Sequence, residues 1–355
     1  MPEPATPADG TIAILGMGQM GLCCATMLDA AAGPGAADGR APGSIVLWNH
    51  DFEEADRVAQ TRTSDRLPGY HLPESVRVAR SDAEALEGAA LIVCAVPVQF
   101  IRGAFERLRP HVPPSAAVVS VSKGIENETL LRPTQIIADA LHDDPDGPPR
   151  PLGCLSGPTI ASELIRCLPA TMVAASDHPR FAQRLQAAFT TSWMRVYTHT
   201  DLLGVELAGA TKNVIAIAAG VIDGLQAGYN AKSALLARGL AEIARLGHAM
   251  GAAPETFYGI AGVGDLATTC FSPEGRNRSC GEALGRGMKL QEHLERSRSV
   301  VEGVATTRSV VDLARKYRVE MPITEAVHAV LFEGLDPLDG ITRLMSRELK
   351  DERVR

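Results

Sequence analysis

Between Thr11 and about Asp201 short apolar, β-rich runs alternate with stretches in which apolar residues recur at helical spacing. The runs TIAILG, SIVLWN, VRVAR, ALIVCAVP, AAVVSVS, LGCLS, ATMVAAS and MRVYT are the expected strands. Strands that alternate with helices in this way form βαβ units, and such units build a mostly parallel sheet covered by helices on its faces. Near Asp201 the pattern changes. GVELAGATKNVIAIAAGVIDGL and SALLARGLAEIARLGHAMG carry helical spacing, and further helical segments follow to the end with no convincing strand. The pattern therefore predicts an α/β domain over residues 1–200 and an all-α domain over 201–355. Two Gly/Pro/Asp-rich stretches, Ala30 to Gly43 and His142 to Gly153, read as exposed excursions of the first domain.

The first strand runs directly into Gly16-Met17-Gly18-Gln19-Met20-Gly21 and then into a helical segment. This is the context a dinucleotide fingerprint requires. Gly16 makes the tight turn, Gly18 lets a pyrophosphate approach the backbone, and Gly21 lets helix and strand pack closely. The pyrophosphate would rest on the helix N-terminus, where unpaired N–H groups and the helix dipole favour an anion. The N-terminal domain is accordingly expected to be a Rossmann-like doubly wound sheet that binds NAD or NADP. The second strand ends in Trp48-Asn49-His50-Asp51, where the adenosine ribose is read. Asp51 could accept from a ribose 2′-OH, although it lies later than the usual ~20 residues after the glycines, or it could simply begin a turn. His50 could instead face a 2′-phosphate. NAD versus NADP stays open at this point.

Lys123, in VSKGIE beyond the fifth strand, stands where open α/β sheets bind ligands. Lys212 and Asn213 lie within AGATKNVIAIAAG, a segment so apolar and small-sided that it should be buried. Burial disfavours an ammonium and lowers its pKa, which suits a group that gives up and recaptures a proton near neutral pH. A second polar cluster follows in GIAGVGDLATTC and Arg276-Asn277-Arg278. Asp265 could hold the lysine or a substrate hydroxyl, and Arg276 offers the planar fork that matches phosphate oxygens.

Composition narrows the setting. A chain of 355 residues, 45% hydrophobic and 22% charged, can bury the cores of two domains. A formal charge of −7 argues against general nucleic-acid binding, so an anionic substrate would need local cations. The acidic, proline-rich start MPEPATPADG lacks the features of a signal peptide, and no charge-free apolar stretch is long enough to span a bilayer. The seven cysteines are odd in number and contain no CxxC pair, so reduced thiols in a reducing compartment are expected, and no metal site.

Taken in order, GMGQMG, VSKGIE, LSGPTIASEL, GATKNVIAIAAG, RGLAEIARLG, GIAGVGDLATTC, RNRSCG, VVEG and VEMPITEAV resemble the bacterial NAD(P)-dependent glycerol-3-phosphate dehydrogenases along nearly the whole chain. The resemblance implies that Gly16, Gly18, Gln19, Met20, Gly21 and His50 line the cofactor site, with Ala161, Arg276, Val300 and Glu302 also in contact. Lys123 would stand at the junction of cofactor and substrate. Gly157, Thr159, Lys212, Asn213, Asp265, Gly275, Arg276 and Asn277 would surround the substrate. Lys212 would be the proton acceptor in alcohol oxidation, with Asp265 and Lys123 as its catalytic companions. One position departs from the family pattern: Gly275 stands where a serine is common, so a hydroxyl near the substrate phosphate is missing, and the Gly275 N–H could partly replace it.

What the resemblance implies is a cytoplasmic homodimer, without membrane insertion, that exchanges a hydride between NAD(P)H and dihydroxyacetone phosphate and so supplies sn-glycerol 3-phosphate for phospholipid synthesis. Two other readings have distinct signatures. A related hydroxyacid dehydrogenase would reduce an unphosphorylated carbonyl compound, and a non-catalytic NAD(P)-binding sensor would bind cofactor without turnover.

Overall fold

The computed structural model describes residues 10–32, 44–143, 149–297, 300–349 and 351. Most of the Ala30 to Gly43 stretch and the centre of the His142 to Gly153 stretch lie outside these residues. Contacts divide the chain into two units: one holds residues 1–122 and 133–202, the other 123–132 and 203–355. The apolar pattern alone divides the chain once, near residue 200. The contacts add a second feature, an excursion of Lys123–Arg132 out of the sheet unit and into the helical one.

The eight expected runs become β1 (Thr11–Leu15), β2 (Ile45–Trp48), β3 (Val76–Val78), β4 (Ala89–Cys94), β5 (Ala117–Ser120), β6 (Leu152–Ser156), β7 (Ala170–Ala175) and β8 (Met194–His199). They form one sheet in the order β3-β2-β1-β4-β5-β6-β7-β8. Strands β2 and β5 are buried at every position, the mark of a sheet covered on both faces rather than one. Every neighbouring pair is parallel except β6 and β7. A parallel return needs a crossover, usually a helix of several turns. The connection from Gly157 to Pro169 offers only the four-residue helix Ala161–Leu164, and the chain comes back antiparallel. The order reverses between β1 and β4, which puts the topological switch point beside the glycine turn that leaves β1.

The second unit contains only helices and turns among its described residues. Two 23-residue helices, Leu202–Gly224 and Gly228–Met250, contribute Val214, Ile215, Ile217, Ile243 and Leu246 to its core. Leu202–Gly224 has the length and hydropathy to cross a membrane, but its most apolar window is 94% buried, as the central helix of a folded core would be. Against it lies the helix Arg276–Gly285, and the two backbones nearly touch. A Cβ added at Gly220 would stand 1.9 Å from the carbonyl oxygen of Arg278, and one at Gly281 would stand 1.9 Å from that of Ile217. Ile125, on the excursion, is fully buried in this same core. All seven cysteines are free thiols, and six are buried while Cys167 is exposed. Burial pushes the Cys23 thiol up to about 12, so it behaves as a packing group rather than a nucleophile.

Candidate active site

In the sheet unit, the fingerprint glycines have the geometry their spacing predicts. Gly16 sits at φ +111, a conformation side chains rarely adopt, and a Cβ there would meet the Ala95 carbonyl oxygen at 2.8 Å. A Cβ at Gly21 would stand 1.9 Å from the Gly16 carbonyl oxygen, so helix Gln19–Ala32 packs directly on the turn. Gly18 has open space where its Cβ would be. A close-packed turn with one uncovered glycine at a helix N-terminus fits a pyrophosphate, and this fits a dinucleotide to the unit.

The β2 end is held by a polar chain. Asp51 Oδ1 accepts from the N–H groups of Glu53 and Glu54 and caps the helix Phe52–Thr61, so that oxygen is committed to the cap. The Nδ2 of buried Asn49 donates to Glu54 (2.7 Å), and Arg66 clasps the same carboxylate through Nε (2.6 Å) and Nη2 (2.7 Å). These Arg66 hydrogen bonds hold the Glu54 carboxyl below the usual carboxylate range, against the effect of burial. The chain continues from Asn49 Oδ1 to His50 Nδ1 (3.1 Å) and, through the Arg66 carbonyl, to Gln19 Nε2 (3.0 Å). Gln19 and His50, both expected at the cofactor site, thus belong to one connected frame, while Met20 packs against the core of the unit. At the end of β6, Gly157 takes φ +146, Thr159 donates to its carbonyl (3.2 Å), and Ala161 opens the short helix.

The helical unit brings together a second set. Lys212 and Asp265 are both buried and form an ion pair, and Lys123 Nζ meets the other Asp265 oxygen at 2.6 Å. Asp265 is the first residue of the helix Asp265–Phe271, which follows a π-helical turn at Ile260–Gly264. One carboxylate therefore serves two ammonium groups. Burial alone would push the Asp265 carboxyl up, but the charges and hydrogen bonds of Lys123 and Lys212 outweigh it and hold the group below its ordinary range. Lys212 moves in the direction its apolar helix predicts. Burial, reinforced by the Lys123 charge and opposed by Asp265, lowers it from 10.5 to about 8.

Thr269, one helical turn beyond Asp265, completes the centre. Its hydroxyl donates to the Asp265 carbonyl (2.7 Å) and accepts from Lys212 Nζ (2.6 Å). Two of the three hydrogens of the Lys212 ammonium are thereby fixed, and the third remains for a ligand. Sequence reasoning did not single out Thr269, although its i,i+4 relation to Asp265 was a usable signal. It also passed over Arg66 and Glu54.

Asn213 Nδ2 reaches the Lys123 carbonyl at 3.4 Å. Asn277 is buried and accepts from Gly303 N–H through Oδ1 (2.9 Å), while Arg276 is exposed and donates to the Val300 carbonyl (3.1 Å). Glu302 begins the helix Glu302–Tyr317. Burial raises its carboxyl above the ordinary range, and Arg276, Lys123 and Lys212 pull the other way. The expected phosphate-binding and cofactor-binding residues Arg276, Asn277, Val300 and Glu302 thus stand together. The Gly275 N–H makes a long 3.4 Å contact with the Ser272 carbonyl.

Residues 11–182 match the family model described as NAD-dependent glycerol-3-phosphate dehydrogenase N-terminus, and residues 201–342 match the corresponding C-terminus. Similar curated proteins include the NAD(P)+ glycerol-3-phosphate dehydrogenase 1 of Salinibacter ruber, 45% identical over 96% of this chain and 97% of the relative. That of Streptomyces griseus is 44% identical over 96% and 98%. Among solved structures, a glycerol-3-phosphate dehydrogenase from Coxiella burnetii is 34% identical with a TM-score of 0.87, covering 96% of this chain and 100% of that one.

Proposed function

Because the chain belongs to the NAD-dependent glycerol-3-phosphate dehydrogenase family, we infer that it exchanges a hydride between NAD(P)H and dihydroxyacetone phosphate, with sn-glycerol 3-phosphate as the reduced product. The relatives favour this reading over a hydroxyacid dehydrogenase or a silent sensor. The observation that carries the chemistry is the buried Lys212 at a pKa of about 8, held by Asp265 and Thr269.

When bound, the nicotinamide cofactor supplies the hydride or takes it up. Gly16, Gly18 and Gly21 would cradle its pyrophosphate, and the frame around His50 and Gln19 would border its adenosine end. The Lys212 ammonium donates a proton to the oxygen forming at C2 in reduction, and the neutral amine takes that proton in oxidation. Asp265 and Thr269 fix the direction of Nζ. Lys123 adds a second positive charge that favours the alkoxide and keeps Lys212 able to lose its proton. Arg276 and the Asn277 amide bind the phosphate, whose remote grip orients C2. Assembly as a cytoplasmic homodimer that feeds phospholipid synthesis belongs to the same reading and rests on family resemblance.

The test follows NADH and NADPH oxidation with dihydroxyacetone phosphate, dihydroxyacetone and a small 2-keto acid. Turnover confined to the phosphorylated ketone is expected, and equal turnover of dihydroxyacetone would overturn the phosphate-binding assignment. The pH dependence is also fixed in sign. Reduction needs the protonated lysine and should decline as pH rises through about 8, whereas oxidation needs the neutral amine and should increase across the same interval. Parallel profiles in the two directions would exclude Lys212 as the proton carrier.

A further inference from the structure

The excursion Lys123–Arg132 is longer than the connection requires. A strand and the helix after it are commonly joined by about 2–6 residues, yet between β5 and the helix Pro133–Leu141 the chain leaves its own unit. The detour has costs. Glu128 and Leu130 adopt left-handed backbone conformations at φ 67 and φ 60, which are strained for non-glycine residues. Arg132 and Glu206 form an ion pair in which the Glu206 side chain is 1% exposed, and desolvating such a pair can cancel its attraction.

Three anchors hold the excursion in the helical unit. Asn213 reaches the Lys123 carbonyl. Ser309, 1% exposed on the helix Glu302–Tyr317, places Oγ 3.1 Å from the Ile125 carbonyl and 2.6 Å from Asn127 Oδ1. Arg132 closes the far end on Glu206 of the Lys212 helix. Between these anchors Ile125 fills the core and Lys123 reaches Asp265.

We propose that Ser309 and the Arg132–Glu206 ion pair are positioning residues for the proton-transfer centre, holding the excursion so that the Lys123 ammonium stays on Asp265. The proposal rests on the reading of Lys212 as the proton carrier. The charged and titratable groups that reach Lys212 are Asp265 and Cys270 from the helix Asp265–Phe271, Lys123 from the excursion and Glu302 from the start of its helix. Of these, Lys123 belongs to the excursion. When the anchors loosen, the centre loses the cation that opposes the Lys212 charge, and Lys212 becomes harder to deprotonate.

The measurement is the pH profile of kcat for glycerol 3-phosphate oxidation in wild type, Ser309→Ala, Arg132→Met, Arg132→Lys and Lys123→Met, with NAD(P)H affinity measured separately by calorimetry. Ser309→Ala and Arg132→Met should lower kcat roughly ten- to a hundredfold, the size of a misplaced catalytic group. Both should move the inflection upward by roughly half to one pH unit, as Lys123→Met does. Cofactor affinity should hold within about twofold, and Arg132→Lys should restore the wild-type inflection. Lower kcat with the inflection unmoved, or an equal effect from Arg132→Lys and Arg132→Met, overturns the proposal. A wild-type profile with no inflection near 8 overturns it together with the Lys212 reading, and that failure is recognisable because it shows before any variant is compared.

Discussion

Lys212→Ala should lower kcat by about 10²–10⁴-fold, the usual contribution of a positioned general acid or base, while NADH and NADPH still bind within about twofold of wild type. The fold is expected to survive because the substitution does not strand a buried charge. Asp265 keeps Lys123 at 2.6 Å as a partner, so the carboxylate remains paired after Lys212 is gone. The glycine turn and the β2 frame belong to the sheet unit and are built without Lys212. Calorimetric titration of the cofactor together with steady-state turnover separates the two quantities. Turnover within tenfold of wild type would remove Lys212 from the mechanism, and lost cofactor binding would make it a structural residue.

The second large effect concerns stability. Gly281→Val should lower the melting temperature by roughly 6–12 °C. The added side chain has no room, since even a Cβ there would stand 1.9 Å from the Ile217 carbonyl oxygen and 3.0 Å from the Val221 nitrogen. Both atoms are backbone of a rigid 23-residue helix, so the contact can be relieved only by moving the helix Arg276–Gly285 as a body. Overpacking of this kind costs about 1–3 kcal/mol, and in a large domain each kcal/mol is worth roughly 2–4 °C. The upper end is expected because backbone rather than a side-chain tip is struck. Arg276 and Asn277 ride on the displaced helix, so KM for the phosphorylated substrate should rise as well. Gly103→Ala is the control: it lies in the helix Ile101–Leu108 with open space around its Cβ, and should melt at or slightly above wild type. A Gly281→Val protein that melts with wild type would mean that the two helices are not in backbone contact.

Much of this was legible from local pattern. The inner strands show themselves as apolar runs because both faces of the sheet are covered there, whereas the edge strands β3 and β8 carry exposed positions between buried ones. The glycine turn is legible because each glycine has a steric reason that only glycine meets. Lys212 stands out because a charge in a small-sided apolar helix is a conflict that needs a partner. The remainder depends on residues far apart in the chain. Neither periodicity nor propensity signals that β7 returns antiparallel, which follows from the brevity of the helix before it. Glu54 is an ordinary first-turn acid until Arg66 is folded onto it. Lys123 reads as a residue beyond the carboxyl end of the fifth strand, and its partner Asp265 lies 142 residues further on, which no local window includes.

The excursion also dictates an order of events during synthesis. Ile125 and the Ser309 hydroxyl that holds it are 184 residues apart. At about 5–20 residues per second, the ribosome needs roughly 10–40 s to travel between them. The sheet unit is complete in the nascent chain well before that, whereas an apolar residue and the Lys123 ammonium wait in water for the final helices. A chain that ends early would consequently bind dinucleotide and do nothing with it, and Ile125, left exposed, would be the feature by which a chaperone or protease could tell it from the finished enzyme.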